Sequence, residues 1–93
     1  MIIGWASKDT EKIYKGDYSK KYPAEIQKKA RQKLIMIASA TEIGDLRVPP
    51  GNRLHKLSGD REGQYSISIN DQWRICFVWN LANAQEVEIV DYH

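Results

Sequence analysis

The apolar residues of this 93-residue chain keep two different periods, and the switch between them falls at a cluster of prolines and glycines. From Ala24 to about Ala40, Ile26, Ala30, Leu34 and Ile37 recur at steps of four, four and three, which lines up one face of an α-helix. Beyond the cluster the step is two. Tyr65, Ile67 and Ile69 alternate with Gln64, Ser66 and Ser68, and Trp73, Ile75, Phe77 and Trp79 alternate with Arg74, Cys76 and Val78, as half-buried strands require. Thr41 to Asn52, with Gly44, Pro49, Pro50 and Gly51, breaks both patterns and reads as a connecting loop. Helix period first and strand period second fit an α+β fold, two N-terminal helices packed on the apolar face of a small twisted antiparallel sheet. The other face of that sheet is expected to be free for work.

Local signals mark the remaining elements. Ile2 to Trp5 reads as a short strand, Ser7 supplies a hydroxyl to cap a helix over about residues 8 to 15, and Gly16 ends it. Pro23 suits the first turn of the second helix. Asn70-Asp71 is a turn between two hairpin strands, Leu81 to Ala84 turns the chain again, and Glu86 to Val90 forms a last strand. So short a chain supports one core, so residues 1–93 are expected to form a single domain. No apolar run approaches the roughly 20 residues of a membrane span, and the first residues lack the basic lead and apolar stretch of a secretory signal. A cytoplasmic protein without membrane contact is expected.

The charge is unevenly spread. Residues 1–33 carry nine basic side chains against four acidic ones, while the rest carry five against eight. Lys28, Lys29, Arg31 and Lys33 on the second helix form either a solvated face or a surface for sequence-independent phosphate contacts.

Most catalytic machinery is absent from the sequence. There is no Gly-rich phosphate loop, no nucleophile elbow and no metal-spaced His/Cys cluster, and the single cysteine, Cys76, can close no intrachain disulfide. Neither a cofactor nor a metal is expected. Proton transfer is left, and RNA cleavage needs little else, because the ribose 2′-hydroxyl is the nucleophile. His55 and His93 could carry protons, Arg53, Lys56, Arg61 and Arg74 could supply cations, and Asp91 and Tyr92 could orient or donate. By alternation Arg74 faces away from the aromatics, where it needs either an acidic partner such as Asp91 or Glu88, or a phosphate. Cys76, on the same face, reads as a small buried hydrophobe.

The segments Pro50-Gly51-Asn52-Arg53-Leu54-His55-Lys56-Leu57-Ser58-Gly59-Asp60-Arg61-Glu62-Gly63, Ser66-Ile67-Ser68-Ile69-Asn70-Asp71-Gln72-Trp73-Arg74-Ile75 and Val87-Glu88-Ile89-Val90-Asp91-Tyr92-His93 resemble the HigB group of bacterial toxins within the RelE/ParE superfamily. The resemblance implies the compact α+β toxin fold and a ribosome-dependent endoribonuclease that cuts mRNA in the decoding site. It also implies a helix-turn-helix antitoxin of the HigA type, through which the toxin meets operator DNA only indirectly. By motif, His55 and the Asp91-Tyr92-His93 ending match catalytic positions, and Arg74 matches an arginine expected on the scissile phosphate. Position 58 is Ser where the resembling segment usually carries Lys, a missing cation that Lys56 replaces only in part. The resemblance favours an RNA-gripping role for Lys28, Lys29, Arg31 and Lys33, alongside Arg53, Lys56 and Arg61. Two other readings share the fold: a ParE-like inhibitor of DNA gyrase without nuclease activity, and a weakly active toxin acting mainly as its antitoxin's co-repressor.

Overall fold

In the computed structural model, which describes residues 1–92, the helical period forms one layer and the strand period the other. Helix α1 spans Lys8–Tyr14, and its cap is the expected one, with Ser7 Oγ accepting from the Thr10 amide at 3.2 Å. Helix α2 spans Ala24–Ser39, with Pro23 just outside it as the capping residue. Two short 3₁₀ turns, Ile43–Arg47 and Pro50–Asn52, fill the Pro/Gly loop, and a third covers Gly59–Arg61. Strands β1 (His55–Lys56), β2 (Gln64–Ser68), β3 (Trp73–Asn80) and β4 (Asn83–Asp91) pair antiparallel in sequence order.

The core lies between the layers. Ala30, Leu34 and Ile37 of α2 meet Ile67, Ile75, Phe77 and Val87 of the sheet, all fully buried, as the two apolar periods demand. Polar groups tie α1 to β4 through the same interface. Thr10 Oγ1 accepts from the Ile89 amide at 3.0 Å, and Tyr22 Oη, within 3.2 Å of Thr10 Oγ1, donates to the Ile89 carbonyl at 3.4 Å. The buried amide of Gln27 closes the α1–α2 connection by accepting from the Ser19 amide and donating to the Ser19 and Tyr22 carbonyls.

The structure departs from the sequence expectations at four places. Residues 2–5 make no continuous strand: they run parallel to β4 through isolated bridges, Ile2 with Ala84 and Trp5 with Val87. A bulge interrupts β4 there, with Glu86 at φ 51° and the β3 register shifting between Cys76 and Val78. Strand β4 starts earlier than expected, because Leu81 and Ala82 both take positive φ, 51° and 67°, and reverse the chain in two residues. The polar face of the sheet is no free surface either: Ser66 and Cys76 are wholly buried under the side chains that cross it.

Lys33 is the fourth departure. It stands on the edge of the apolar stripe, three residues after Ala30 and four before Ile37, and is only 7% exposed. Its ammonium donates to Asn52 Oδ1, and the Asn52 amide donates in turn to the carbonyls of Leu46 (3.2 Å) and Val48 (3.4 Å). Lys33 therefore does not belong to the exposed basic face with Lys28, Lys29 and Arg31; it staples the loop to α2.

Replacing Asn52 by Ala leaves a buried ammonium and two carbonyls without their partner, and about 3 kcal/mol of stability should be lost in urea denaturation. Burial, with the Lys29 charge second, holds the Lys33 ammonium below the ordinary lysine value of 10.5. The folded chain thus releases this proton before the unfolded chain does. Wild-type stability relative to Lys33→Met should rise with pH across the alkaline window that ends near 10.5.

Candidate active site

Register places the candidate residues before any side-chain contact is considered. His55 pairs with Ser66, Ser66 with Cys76, and Cys76 with Glu88, so one line of side chains crosses the face turned away from the helices. The adjacent line on that face is Ser68, Arg74 and Val90. The buried hydroxyl and thiol at the centre form a small-residue floor, and long side chains lie over it. Burial pushes the Cys76 thiol up, and the lowering effect of Arg61 and Arg74 does not offset it, so this cysteine is a poor nucleophile.

Arg74 and Arg61 differ in their partners. Arg61 pairs with Glu88 at 2.9 Å and donates to Gln64 Oε1 at 3.0 Å, so Glu88 is occupied and the ion pair considered for Arg74 forms with Arg61 instead. Arg74 is held by neutral oxygens: Nε donates to Ser66 Oγ at 2.8 Å and Nη2 to the Arg53 carbonyl at 2.8 Å. Arg53 sits at the end of a 3₁₀ turn in the left-handed region, φ 48°, so this carbonyl is offered by a backbone bend. A guanidinium has five N–H donors, and these two bonds leave the others available for an oxyanion. The Tyr92 ring, 45% exposed, covers one side of the cation at 5.4 Å.

The chain terminus divides by alternation. Tyr92 meets Arg74, whereas Asp91 pairs in register with Trp73, and its Oδ2 accepts from Gln72 Nε2 at 3.3 Å. Both line, with Arg61 and Val90, a depression of about 370 Å³. His93 lies outside the described residues. His55 is exposed at the end of the line that passes through Ser66, the hydroxyl that holds Arg74.

Other expected cations stand elsewhere. Lys28, Lys29 and Arg31 are exposed on α2, whose apolar stripe packs against the opposite sheet face, so they lie on the far side of the molecule from Arg74. Arg31 donates to the Tyr14 carbonyl at 3.1 Å. Lys56 follows His55 in β1 and therefore points to the helix side, pairing in register with Tyr65. It does not stand beside Arg74 and cannot replace a cation missing at position 58 there. Sequence reasoning missed two anchors. Ser66 was identifiable by alternation as a small hydroxyl on the arginine's face, but a backbone carbonyl such as that of Arg53 leaves no trace in residue type.

Known proteins share this arrangement of sequence. Residues 4–93 match the family described as RelE-like toxin of type II toxin-antitoxin system HigB. Toxin HigB-1 of Vibrio cholerae serotype O1 is 35% identical over 80 residues, covering 85% of this chain and 84% of its own length. Endoribonuclease HigB of Proteus vulgaris is 33% identical over 93 residues and spans the whole of both chains. A match running from residue 4 through both helices and the sheet that carries Arg74 shows that this chain belongs to the HigB-like toxins of type II toxin-antitoxin systems.

Proposed function

We propose that this toxin is a ribosome-dependent endoribonuclease that cuts mRNA by attack of the ribose 2′-hydroxyl. The observation that carries the reading is Arg74, fixed by Ser66 and Arg53 through neutral oxygens and covered by the Tyr92 ring, which itself lines the depression beside it. A cation anchored in this way keeps its charge for a guest. Placed on a phosphodiester, it stabilises the negative charge that grows on the non-bridging oxygens as the 2′-oxygen adds to phosphorus. One proton carrier takes the 2′-hydroxyl proton, and another returns a proton to the departing 5′-oxygen. The products are a 2′,3′-cyclic phosphate and a free 5′-hydroxyl. His55 approaches from the β1 side and Tyr92 from the β4 side, so base and acid can act from opposite flanks of one phosphate, with Asp91 and His93 the further proton carriers that the motif supplies.

The whole-length similarity to a protein named Endoribonuclease HigB supports RNA as substrate. The exposed Lys28, Lys29 and Arg31 surface on the far side from Arg74 suits a grip on ribosomal RNA while the opposite face meets the message. The Arg53 carbonyl and the Arg61 side chain flank the same face as Arg74, Arg61 with its charge already balanced by Glu88. The protein partner of a type II toxin is its antitoxin, here expected to be of the helix-turn-helix HigA type and to mediate any contact with operator DNA.

Mapping of transcript cleavage on purified ribosomes tests this reading. Arg74→Ala should lower the single-turnover cleavage rate by about 10² to 10³ with the melting transition preserved. An intact message with wild-type toxin would reject nuclease action. For the proton carriers, His55→Ala and His93→Ala should each lower the rate by about 10² to 10⁴. Tyr92→Phe separates roles at its position: the ring over Arg74 is retained, so a loss of comparable size assigns proton donation to the hydroxyl, and retained rate assigns only ring packing.

A further inference from the structure

A second depression, of about 530 Å³, lies on the helix side of the sheet edge and is lined by Arg47, Leu54, Lys56 and Tyr65. Its volume falls within the roughly 300 to 1,000 Å³ of sites that hold small organic ligands. Each wall comes from a different element. Arg47 ends the first 3₁₀ turn, Leu54 leads into β1, and Lys56 and Tyr65 are cross-strand neighbours between β1 and β2. The inner side of Tyr65 is set against Phe77, the rings 25° apart at 6.4 Å, so the phenol is braced by the core.

The charges at this site are unbalanced. Among the described residues neither the Arg47 nor the Lys56 side chain has a hydrogen-bond or ion-pair partner, and no carboxylate lines the depression. Two uncompensated cations converging beside a braced aromatic ring and a leucine match the chemistry of a nucleotide: a flat base to stack and phosphates to neutralise. Topology connects this place to the candidate active site. His55 and Lys56 are consecutive residues of a two-residue edge strand, one directed to the Arg74 face and the other into the depression. A single strand of RNA that crosses this edge passes from one to the other.

We propose that the depression is a second nucleotide subsite, which takes one unpaired RNA base against Tyr65 and Leu54 and its flanking phosphates on Arg47 and Lys56. The inference rests on the reading of the toxin as an RNA-cutting protein and adds a specificity-bearing contact outside the scissile phosphate. The nucleotide belongs either to the message or to ribosomal RNA, which share this chemistry.

A 2′-O-methyl tetranucleotide, which lacks the nucleophile and stays uncut, is the probe. Titrated into the full chain, it should shift the amide resonances of residues 54–56 and 65. In Arg47→Ala/Lys56→Ala its affinity should fall at least tenfold, and the slope of log affinity against log salt should drop by about 1.4, two single-strand phosphate contacts. Both side chains are exposed, so the melting temperature should not move. Unchanged affinity in the double variant, or shifts confined to the Arg74 face, would overturn the proposal. So would protection of these amides by an acidic antitoxin peptide in the absence of any response to RNA. On ribosomes, weaker binding of the double variant to vacant particles assigns the nucleotide to ribosomal RNA, and weaker binding only with message present assigns it to the message. The oligonucleotide reads the subsite without cleavage, so a wild-type toxin that binds the probe as stated but leaves message intact refutes the nuclease reading alone.

Discussion

Arg74 keeps its charge uncancelled because of what holds it. A guanidinium on a strand can be steadied by a carboxylate, which cancels its charge, or by neutral oxygens, which leave the charge in place. Here the Ser66 hydroxyl and the Arg53 carbonyl do the steadying, and the nearby carboxylate of Glu88 is engaged by Arg61. The second anchor requires the loop before β1 to stop at one position. That position is fixed from below: Lys33 of α2 donates to Asn52, Asn52 donates to the Leu46 and Val48 carbonyls, and the next residue presents its carbonyl to Arg74. A buried lysine on the helix layer thus acts through two residues, Asn52 and Arg53, on a cation at the opposite surface. The desolvation that makes Lys33 costly is the same property that makes its contact directional, since a buried ammonium tolerates few alternative arrangements.

Much of this architecture is legible in residue order. The stripe of Ile26, Ala30, Leu34 and Ile37 and the alternation around Ile67 and Ile75 set both layers, because burial enforces period on each element. Ser7 was readable as a cap because a hydroxyl before a helix has one obvious partner. The turn at Leu81-Ala82 was not readable as a tight one, since neither residue is glycine or asparagine and the left-handed conformation there is imposed by the pairing of β3 with β4. Residue type alone puts Lys33 on the surface, yet a long charged side chain on the edge of a stripe can bury its stem and head when the loop supplies an acceptor. The bulge at Glu86 was equally silent, and with it the broken pairing of the first residues.

The candidate site shows the same division. Alternation correctly put Arg74 and Cys76 on one face and the tryptophans of β3 on the other, and the motif positions His55 and Tyr92 come to the same side as Arg74. Alternation also separates neighbours that a motif groups together. Asp91 pairs in register with Trp73 while Tyr92 covers Arg74, and Lys56 turns away from the face that His55 serves. A cluster written as consecutive letters is therefore two directions in space, and each residue's part depends on which face its backbone register assigns.

The shortness of β1 is what makes that division productive. An edge strand of two residues offers little backbone for pairing with another chain, which limits aggregation, yet it is long enough to send one side chain to each face. The remainder of the segment is irregular, bent at Arg53 and again at Gly59, φ 48° and 66°, so the edge is framed by loops and not by a continuous ladder. At this edge adjacent residues present an imidazole to one face and an ammonium to the other, without a flat sheet between them. Basic groups placed on the helical surface can hold a large structured partner, whereas groups disposed about a thin edge select a single strand. The uneven charge of the sequence follows the same division: the excess of lysine lies in the first third of the chain, and among the few later cations Arg74 and Arg61 have defined partners while Arg47 and Lys56 line a defined recess.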